Sequence, residues 1–308
     1  MVVCKGLIPD QYFNESVLSI GSFDGMHRGH IEIISGIKTI SKSKNIQSVV
    51  ITFDPHPKTI LHAYGQSMQP LMSLDKKIEL LEKHEVDYVW VIPFDKKFSE
   101  IPAEVFLKKY ISAYFNPLDI IIGYDHHFGY NQEGNIEFLN NNKKAYKYTL
   151  HTREPILHQN IPISSSRIRS DLKCCNLDKA NECLGREYEY SGRIIKGMGL
   201  GTQLEFPTAN VLPHIPRQLI PSHGVYCVDA IIDSSYYTGM CNIGMRPTFY
   251  DNGKEIIEVH LFTKDTLNIY GKDIVVSFKK YLREEKKYNS THELIKQLKL
   301  DRQACFSI

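Results

Sequence analysis

Two histidines three residues apart stand where a phosphate could bind. Residues 21–30 read Gly-Ser-Phe-Asp-Gly-Met-His-Arg-Gly-His, and they follow a predicted strand and open a predicted helix. His27 and His30 would share one face of that helix. The glycines allow a tight turn, and the first turn of a helix offers unpaired N–H groups and a positive dipole end to an anion. The segment favours phosphate chemistry over an incidental loop, and over a metal site, for which His-x-x-His supplies only two ligands.

A second polar segment lies far along the chain. Residues 163–169 read Ile-Ser-Ser-Ser-Arg-Ile-Arg. Serines before an amphipathic stretch are helix caps by default, and that interpretation stays open for the segment taken alone. Together with the first motif, its hydroxyls, its exposed N–H groups and an arginine fork would hold the β- and γ-phosphates of ATP.

The first half of the chain alternates strands with helices. Strands are predicted at residues 17–20, 48–53, 88–92 and 119–122, and helices at 27–41, 74–83 and 102–114. Continuous apolar strands suit a parallel sheet that is buried on both faces. The alternation predicts a doubly wound, Rossmann-like α/β domain with its ligand at the carboxyl ends of the strands.

The sequence pattern changes near residues 184–188, where the second half of the chain begins. Closely spaced strands are predicted at 188–195, 225–232, 236–243, 256–262 and 274–281, with turn residues between them. They predict a small antiparallel β-barrel. Ser290 or Thr291 could cap a terminal helix. We therefore expect two domains, at residues 1–185 and 186–308.

A glycine-rich loop leads out of the first strand of the predicted barrel. Residues 197, 199 and 201 are glycines, but their spacing does not match a P-loop. Residues 206–210 follow and read Phe-Pro-Thr-Ala-Asn. An ordinary turn with a polar cap is the simpler interpretation of this loop by itself.

Several further segments resemble one known family. This family is the prokaryotic bifunctional riboflavin kinase/FMN adenylyltransferase (FAD synthetase) family. Its nucleotidyltransferase half resembles the two polar segments above together with residues 52–57 (Thr-Phe-Asp-Pro-His-Pro), 94–106 and 123–129 (Gly-Tyr-Asp-His-His-Phe-Gly). Its riboflavin kinase module resembles four further segments, at residues 206–210, 224–226, 242–249 and 257–261. The resemblance covers nearly the whole chain in family order.

The resemblance implies two activities: phosphorylation of riboflavin to FMN by ATP, and adenylylation of FMN to FAD with release of pyrophosphate. It implies His27, His30 and Glu258 as catalytic residues, with Glu258 as the general base of the kinase. It implies Thr208 and Asn210 as ligands of Mg²⁺ carried by ATP, which suits oxygen donors. The implied nucleotide-binding residues are Gly21, Phe23, Asp24, Gly25, Ser164, Ser165, Arg169, Gly197, Gly199, Thr208 and Asn210. The implied flavin-binding residues are His56, Asp125, Phe128, Arg283 and Glu285.

One departure from the family pattern bears on the kinase half. Glu205 stands where the family commonly has a small residue, and a carboxylate near polyphosphate is repelled. An FMN adenylyltransferase with a weak kinase half is therefore one alternative. A non-catalytic flavin-binding regulator is another.

Composition excludes some partners. The net charge of +2 gives no reason to expect binding to nucleic acid or to a membrane surface. Seven scattered cysteines argue against a disulfide framework, and with no apolar leader they favour a cytoplasmic protein. Riboflavin, FMN, FAD and ATP are the expected partners. The sequence leaves the oligomeric state open.

Overall fold

The computed structural model describes residues 1–61, 68–196, 206–215, 217–245, 255–263 and 268–308. It separates into two compact units, Met1–Ser165 and Ser166–Ile308, each taken by itself below. In these described ranges, no helix is both long enough and apolar enough to cross a membrane.

The first unit is built on a parallel sheet. Its strands are β1 (Val2–Lys5), β2 (Ser16–Ile20), β3 (Gln47–Asp54), β4 (Tyr88–Pro93), β5 (Pro117–Gly123) and β6 (Thr149–Arg153). Within the described residues they lie in the order β1-β4-β3-β2-β5-β6, and every neighbouring pair is parallel. The predicted doubly wound α/β fold is confirmed.

Helices connect these strands and cover both faces of the sheet. They are α1 (Arg28–Lys44), α2 (Pro57–Leu61), α3 (Leu74–Lys83), α4 (Lys96–Ser99), α5 (Ala103–Phe106, continued by the π-helical Leu107–Phe115) and α6 (Ile136–Tyr146), with a 3₁₀ turn at Tyr130–Gln132 and a hairpin of β7 (Leu157–His158) and β8 (Ile161–Pro162). Trp90 and Phe115 centre the core on one face, and Ile34 and Leu81 belong to the core on the other.

The strand order places a crevice at the carboxyl end of β2. From β2 the chain passes through α1 to β3 on one side, whereas β5 pairs with β2 on the other side. Such a reversal of strand order opens a space between the connecting segments, and ligands of open α/β sheets bind there. Residues 21–30 follow β2 and residues 123–129 follow β5, so both motifs lie at this edge.

The second unit contains a closed antiparallel barrel, as predicted. Helices α7 (Ser165–Lys173) and α8 (Leu177–Leu184) precede β9 (Tyr188–Ile195), β10 (Ala209–Pro213), β11 (Gly224–Ile232), β12 (Ser235–Met245), β13 (Glu255–Leu261) and β14 (Asp273–Arg283). In the part of the chain that is described, the strands close in the order β10-β13-β12-β11-β14-β9. Tyr188 and Tyr226 each pack against Phe278, and all three are buried.

The terminal helix α9 (Thr291–Phe306) is capped as the sequence suggested. The Oγ of Ser290 accepts a hydrogen bond from the N–H of Glu293 at 3.2 Å, and the Glu293 carboxylate accepts one from the N–H of Asn289 at 3.2 Å. The first bond satisfies an N–H group that the helix cannot pair internally, and the second ties the residue before the cap to the first turn. Ile295 and Leu298 lie on its apolar side and pack against the outer surface of the barrel.

A disulfide joins Cys227 of β11 to Cys305 of α9, with the two Cα atoms 5.3 Å apart. The expectation from the cysteine spacing is therefore wrong for this pair, while the other cysteines are free thiols. The reason is that 78 residues separate the partners, and only the packing of α9 on the barrel brings them together.

Candidate active sites

His27 ends the loop after β2 and caps α1. Its backbone is extended, and its Nδ1 accepts a hydrogen bond from the N–H of His30 at 3.4 Å. The two imidazole rings stack with their centroids 3.7 Å apart. Gly29 leaves room for them, because a Cβ there would lie 3.2 Å from Cε1 of His27. Both histidines are therefore presented at the N-terminal turn of α1, beside its N–H groups and its positive dipole end.

The turn before His27 adopts backbone conformations that side chains rarely take. The φ angles are 48° at Phe23, 81° at Gly25 and 39° at Met26, and the Met26 N–H donates to the Phe23 carbonyl at 3.2 Å. At Phe23 and Met26, which are not glycine, this costs about 1–3 kcal/mol each and persists where the surroundings fix it. Phe23 and Met26 are buried, so packing supports the turn. Gly21 also supports it, since its N–H donates to the Ile51 carbonyl at 3.0 Å.

Ser165 brings the second polar segment to the first. Its Oγ donates to the backbone carbonyl of Asp24 at 2.8 Å, across 141 residues of sequence. The Asp24 carboxylate in turn accepts from the N–H of Leu71 at 3.0 and 3.2 Å. Ser164 immediately precedes Ser165, which begins α7, and Arg169 lies one turn further along that helix. Ser165, one of the serines that the sequence pairs with the histidine motif, is thus in direct contact with its turn.

Residues 123–129 form the loop after β5. The side chain of Asp125 is exposed, whereas Phe128 is buried and packs against Phe106 and Phe138 with ring centroids 5.8 and 5.9 Å away. Phe128 thereby anchors the loop to the core and leaves Asp125 on the open side. Gly129 follows with φ 74° and ψ 174°, a conformation available essentially to glycine alone.

His126 in the same loop is a group that the sequence did not single out. Burial, with His127 nearby, lowers the pKa of His126 to about 4, so its ring is neutral at pH 7. Its Nε2 is buried, and among the described residues it has no hydrogen-bond partner. The signal in the sequence that could have found it is the histidine pair at 126 and 127, directly after Asp125.

His56 lies at the carboxyl edge of the neighbouring strand β3. It follows the cis peptide between Asp54 and Pro55, and its Nδ1 accepts from the N–H of Lys58 at 3.1 Å. The segment is thus a turn that opens α2, on the same edge of the sheet as the histidine motif.

In the barrel unit, three polar residues stand side by side on adjacent strands. Asn210 of β10 is opposite Glu258 of β13, and Glu258 is opposite Asn242 of β12. Directly opposed residues of antiparallel strands point to the same face. Glu258 is half-buried and Asn210 is buried, while Ile257 and Val259 on the other face belong to the core. Alternation therefore puts Glu258 on the outer face of the barrel, where it is flanked by amides.

Thr208 is two residues before Asn210, in the segment that leads into β10. His260 fixes this segment: its Nδ1 lies 2.8 Å from the Pro207 carbonyl, and its ring packs on Phe206 at 5.0 Å between centroids. Burial lowers the pKa of His260, so a neutral ring donates from Nδ1. The set of a hydroxyl, an amide carbonyl and a carboxylate consists of hard oxygen donors, which fit Mg²⁺.

Arg283 is the last residue of β14 and Glu285 follows it two residues later, and each has a protein partner. Arg283 binds Asp301 of α9 through Nε at 3.1 Å and through a terminal nitrogen at 2.7 Å, and this pairing raises its pKa against the effect of burial. Glu285 accepts from Nδ2 of Asn242 at 3.1 Å. The polar row on the barrel therefore extends from Asn210 to Glu285. Gly197 and Gly199 lie outside the described residues.

Comparison with known proteins assigns each half of the chain. The family model for FAD synthetase matches residues 10–167, and the model for riboflavin kinase matches residues 184–308. The bifunctional riboflavin kinase/FMN adenylyltransferase of Buchnera aphidicola (Schizaphis graminum strain) is 34% identical over 94% of this chain and 92% of its own length. The Bacillus subtilis protein of that name is 33% identical, over 94% and 91% of the two chains. The chain belongs to this bifunctional family.

The relative from Escherichia coli K12, which has the same name, is 32% identical over 92% of this chain and 90% of its own. A crystal structure described as a macrolide-efflux protein from Streptococcus pneumoniae superposes with a TM-score of 0.90 and 27% identity over the full length of both chains. The chain is thus an enzyme with a nucleotidyltransferase half and a kinase half, and the predicted activities are confirmed.

The lysine at position 77 was missed by the sequence analysis. It is buried in α3, and its Nζ donates to the Ser22 carbonyl at 2.7 Å and lies 3.1 Å from Oγ1 of Thr52. The available signal was its spacing, because Lys77 precedes the buried Leu80 and Leu81 by three and four residues and so shares their helix face.

Proposed function

We propose that the two reactions take place at two separate sites, one in each half, built from the residues described above. Two contacts support this most directly. The Ser165 Oγ bonds to the Asp24 carbonyl in the first site, and Asn210 and Glu258 are in register in the second. The first contact lies within Met1–Ser165 and the second within Ser166–Ile308. The substrates are riboflavin, FMN and ATP, and a reaction that consumes ATP agrees with the expected cytoplasmic location.

In the nucleotidyltransferase site, a phosphate oxygen of FMN attacks the α-phosphorus of ATP. The bond from that phosphorus to the bridging oxygen breaks, and pyrophosphate leaves. His27 and His30 donate hydrogen bonds to the oxygens on which charge develops, beside the N-terminus of α1.

The remaining residues of this site hold the nucleotide and the flavin. Gly21, Phe23, Asp24 and Gly25 shape the turn against which the phosphates lie, and Ser164, Ser165 and Arg169 hold the leaving pyrophosphate. Such transfer depends on positioning and electrostatics more than on covalent help from the protein. His56 and Asp125 face the flavin from two loops at the strand ends, and Phe128 contributes by fixing the loop that carries Asp125.

In the kinase site, Glu258 takes the proton from the 5′-hydroxyl of riboflavin as its oxygen attacks the γ-phosphorus of ATP, and ADP leaves. Thr208 and Asn210 would supply oxygens to Mg²⁺, which when bound would neutralise charge on the phosphates. Gly197 and Gly199, outside the described residues, are proposed to bind the nucleotide. Arg283 and Glu285 border the flavin, with Asn242 orienting Glu285.

We place the functional boundary at residues 185/186. The two family models leave residues 168–183 unmatched. Most of α7 and α8 falls in that interval, and α8 is fastened to the barrel because Asn181 donates to the Phe278 carbonyl at 2.9 Å and accepts from the N–H of Tyr188 at 2.8 Å. These two helices therefore form the connection, and the kinase module begins after them.

The test separates the two sites by substitution. The full-length protein is incubated with riboflavin, ATP and Mg²⁺, and the flavins are separated by chromatography over time. Glu258→Gln should lower FMN formation by about 10²–10⁴-fold, the usual contribution of a general base, and should leave the conversion of supplied FMN to FAD unchanged. His30→Ala should have the reverse effect.

The outcomes also decide between the alternatives. Loss of both activities by either variant in a folded protein would contradict two independent sites. FAD formation from FMN without FMN formation from riboflavin would identify a weak kinase half, with Glu205 as the residue to replace first. Absence of both reactions in the unmodified protein would favour a non-catalytic flavin-binding protein. Removal of Mg²⁺ with a chelator should stop both reactions.

A further inference from the structure

Lys77 carries a charge into the interior of the first unit. Its side chain is only 7% exposed, and a buried charge is unfavourable unless it is paired or hydrogen-bonded. Burial lowers its pKa to about 8, while the carboxylates of Asp24 and Asp54 oppose that shift. At pH 7 the group is therefore mostly an ammonium, which donates hydrogen bonds and accepts none.

The acceptors of this ammonium lie on two strand ends. Ser22 directly follows the glycine after β2, and its carbonyl receives the shorter bond, 2.7 Å. Thr52 lies near the end of β3, with its Oγ1 3.1 Å from Nζ, and its hydroxyl also donates to the Ser22 carbonyl at 3.2 Å. Lys77 therefore ties α3 to the carboxyl ends of two adjacent strands.

The Ser22 carbonyl is the point at which the strained turn begins. Phe23, with φ 48°, is the next residue, and the turn leads to His27 four residues later. Further along the turn, Asp24 is held by Ser165 and by Leu71. Strained backbone persists only where several contacts fix it, and among the described residues Lys77 and Thr52 supply the side-chain hydrogen bonds to the Ser22 carbonyl, at the first residue of this turn.

We propose that Lys77 is a positioning residue for adenylyl transfer, which holds the turn of residues 22–26 in the shape that presents His27 and His30 to the reacting phosphate. The inference rests on the proposed role of the histidine motif. Lys77 acts through the Ser22 carbonyl and need not touch the substrate. A charge-assisted hydrogen bond to a carbonyl is strong and directional, which suits the anchoring of a backbone that would otherwise relax.

The decisive variant is Lys77→Met, which keeps an unbranched side chain, one atom shorter, and removes the donor. Loss of hydrogen bonds from a charged group corresponds to about 10- to 100-fold, and a misplaced catalytic group costs up to about 100-fold. We therefore expect kcat for FAD formation from FMN to fall 10- to 100-fold and KM for FMN to change less than threefold. FMN formation by the kinase half of the same molecules should be unchanged.

Two control variants lie on the same helix. Lys76→Met removes the neighbouring ammonium, which pairs with Glu79 at 3.1 Å on the surface, and should leave kcat unchanged. Leu80→Ala opens a space in the core next to α3 and should lower the melting temperature without lowering kcat of the folded protein. A lysine with only a structural role would behave like Leu80, with a lower melting temperature and a normal kcat at temperatures where the protein is folded.

A double-mutant cycle with Thr52→Val gives a second measurement that does not depend on the stability of Lys77→Met alone. Thr52→Val should lower kcat for FAD formation by about threefold to tenfold, and the effects of the two changes should be clearly less than multiplicative, because both act on the Ser22 carbonyl. If Lys77→Met does not fold, Thr52→Val by itself decides, and an unchanged kcat overturns the inference.

If the unmodified protein makes no FAD from FMN and ATP, the proposed function fails. If it does make FAD and Lys77→Met makes it equally well, only the role of Lys77 fails.

Discussion

Replacement of Gly129 by alanine should damage the first site through the backbone. Gly129 has φ 74° and ψ 174°, and an added Cβ would lie 2.7 Å from the backbone N and Cα of Ala103. Backbone atoms at the start of α5 cannot move aside as a flexible side chain could. Gly271 offers a matched control, since its φ is 79° and nothing lies within 4 Å of an added Cβ.

The two substitutions share one cost and differ in another. A side chain at positive φ costs about 1–3 kcal/mol, which the lower entropy of the unfolded chain offsets by about 0.4–1 kcal/mol. At Gly129 the overlap with Ala103 adds about 1–3 kcal/mol, the usual cost of overpacking. We expect a loss of about 2–5 kcal/mol for Gly129→Ala and about 1 kcal/mol for Gly271→Ala.

The sequence provides a probe specific to the first unit. Trp90 is the single tryptophan of the chain and is buried in β4, so urea unfolding followed by tryptophan fluorescence reports that unit. Gly129→Ala should shift this transition and lower kcat/KM for FAD formation at least tenfold, because its loop carries Asp125. Gly271→Ala should change neither. A Gly129→Ala protein with unchanged unfolding and unchanged FAD formation would refute the reasoning.

Two further predictions concern single groups. The ¹³Cε resonance of Lys77, assigned with Lys77→Met, should titrate near pH 8 instead of 10.5. Between these pH values the unfolded chain binds more protons than the folded one, so the contribution of Lys77 to the free energy of unfolding should rise with pH, by about 3 kcal/mol in total. A difference in stability between wild type and Lys77→Met, followed by fluorescence, that does not depend on pH from 7.5 to 10.5 would contradict this prediction. Cys305→Ser should make the kinase lose activity at a lower temperature, because the bond to Cys227 closes a loop of 78 residues and stabilises the fold by about 4 kcal/mol through chain entropy. Treatment of the wild type with a reductant should have the same effect. Detection of two free thiols at these positions by mass spectrometry would show that the bond does not form.

Much of the first site could be predicted because it depends on local rules. His27 and His30 fall on one helix face through helical periodicity alone, and a helix that follows a strand and a glycine turn presents its N-terminus at the strand's end. The α/β and barrel halves were likewise visible in the spacing of apolar residues. Each of these features is set by residues within about one or two turns of one another, so the sequence by itself determined them.

The tertiary structure decided which distant residues meet. The contact of Ser165 with Asp24 and the alignment of Asn210 with Glu258 depend on chain topology and strand register, which bring together residues 141 and 48 positions apart. Lys77 illustrates the reason most clearly: a lysine on an amphipathic helix is solvated by default, and only the packing of α3 against the ends of β2 and β3 buries it beside the Ser22 carbonyl. Local propensity favours an element, whereas the partners of its side chains are chosen by packing across the whole domain.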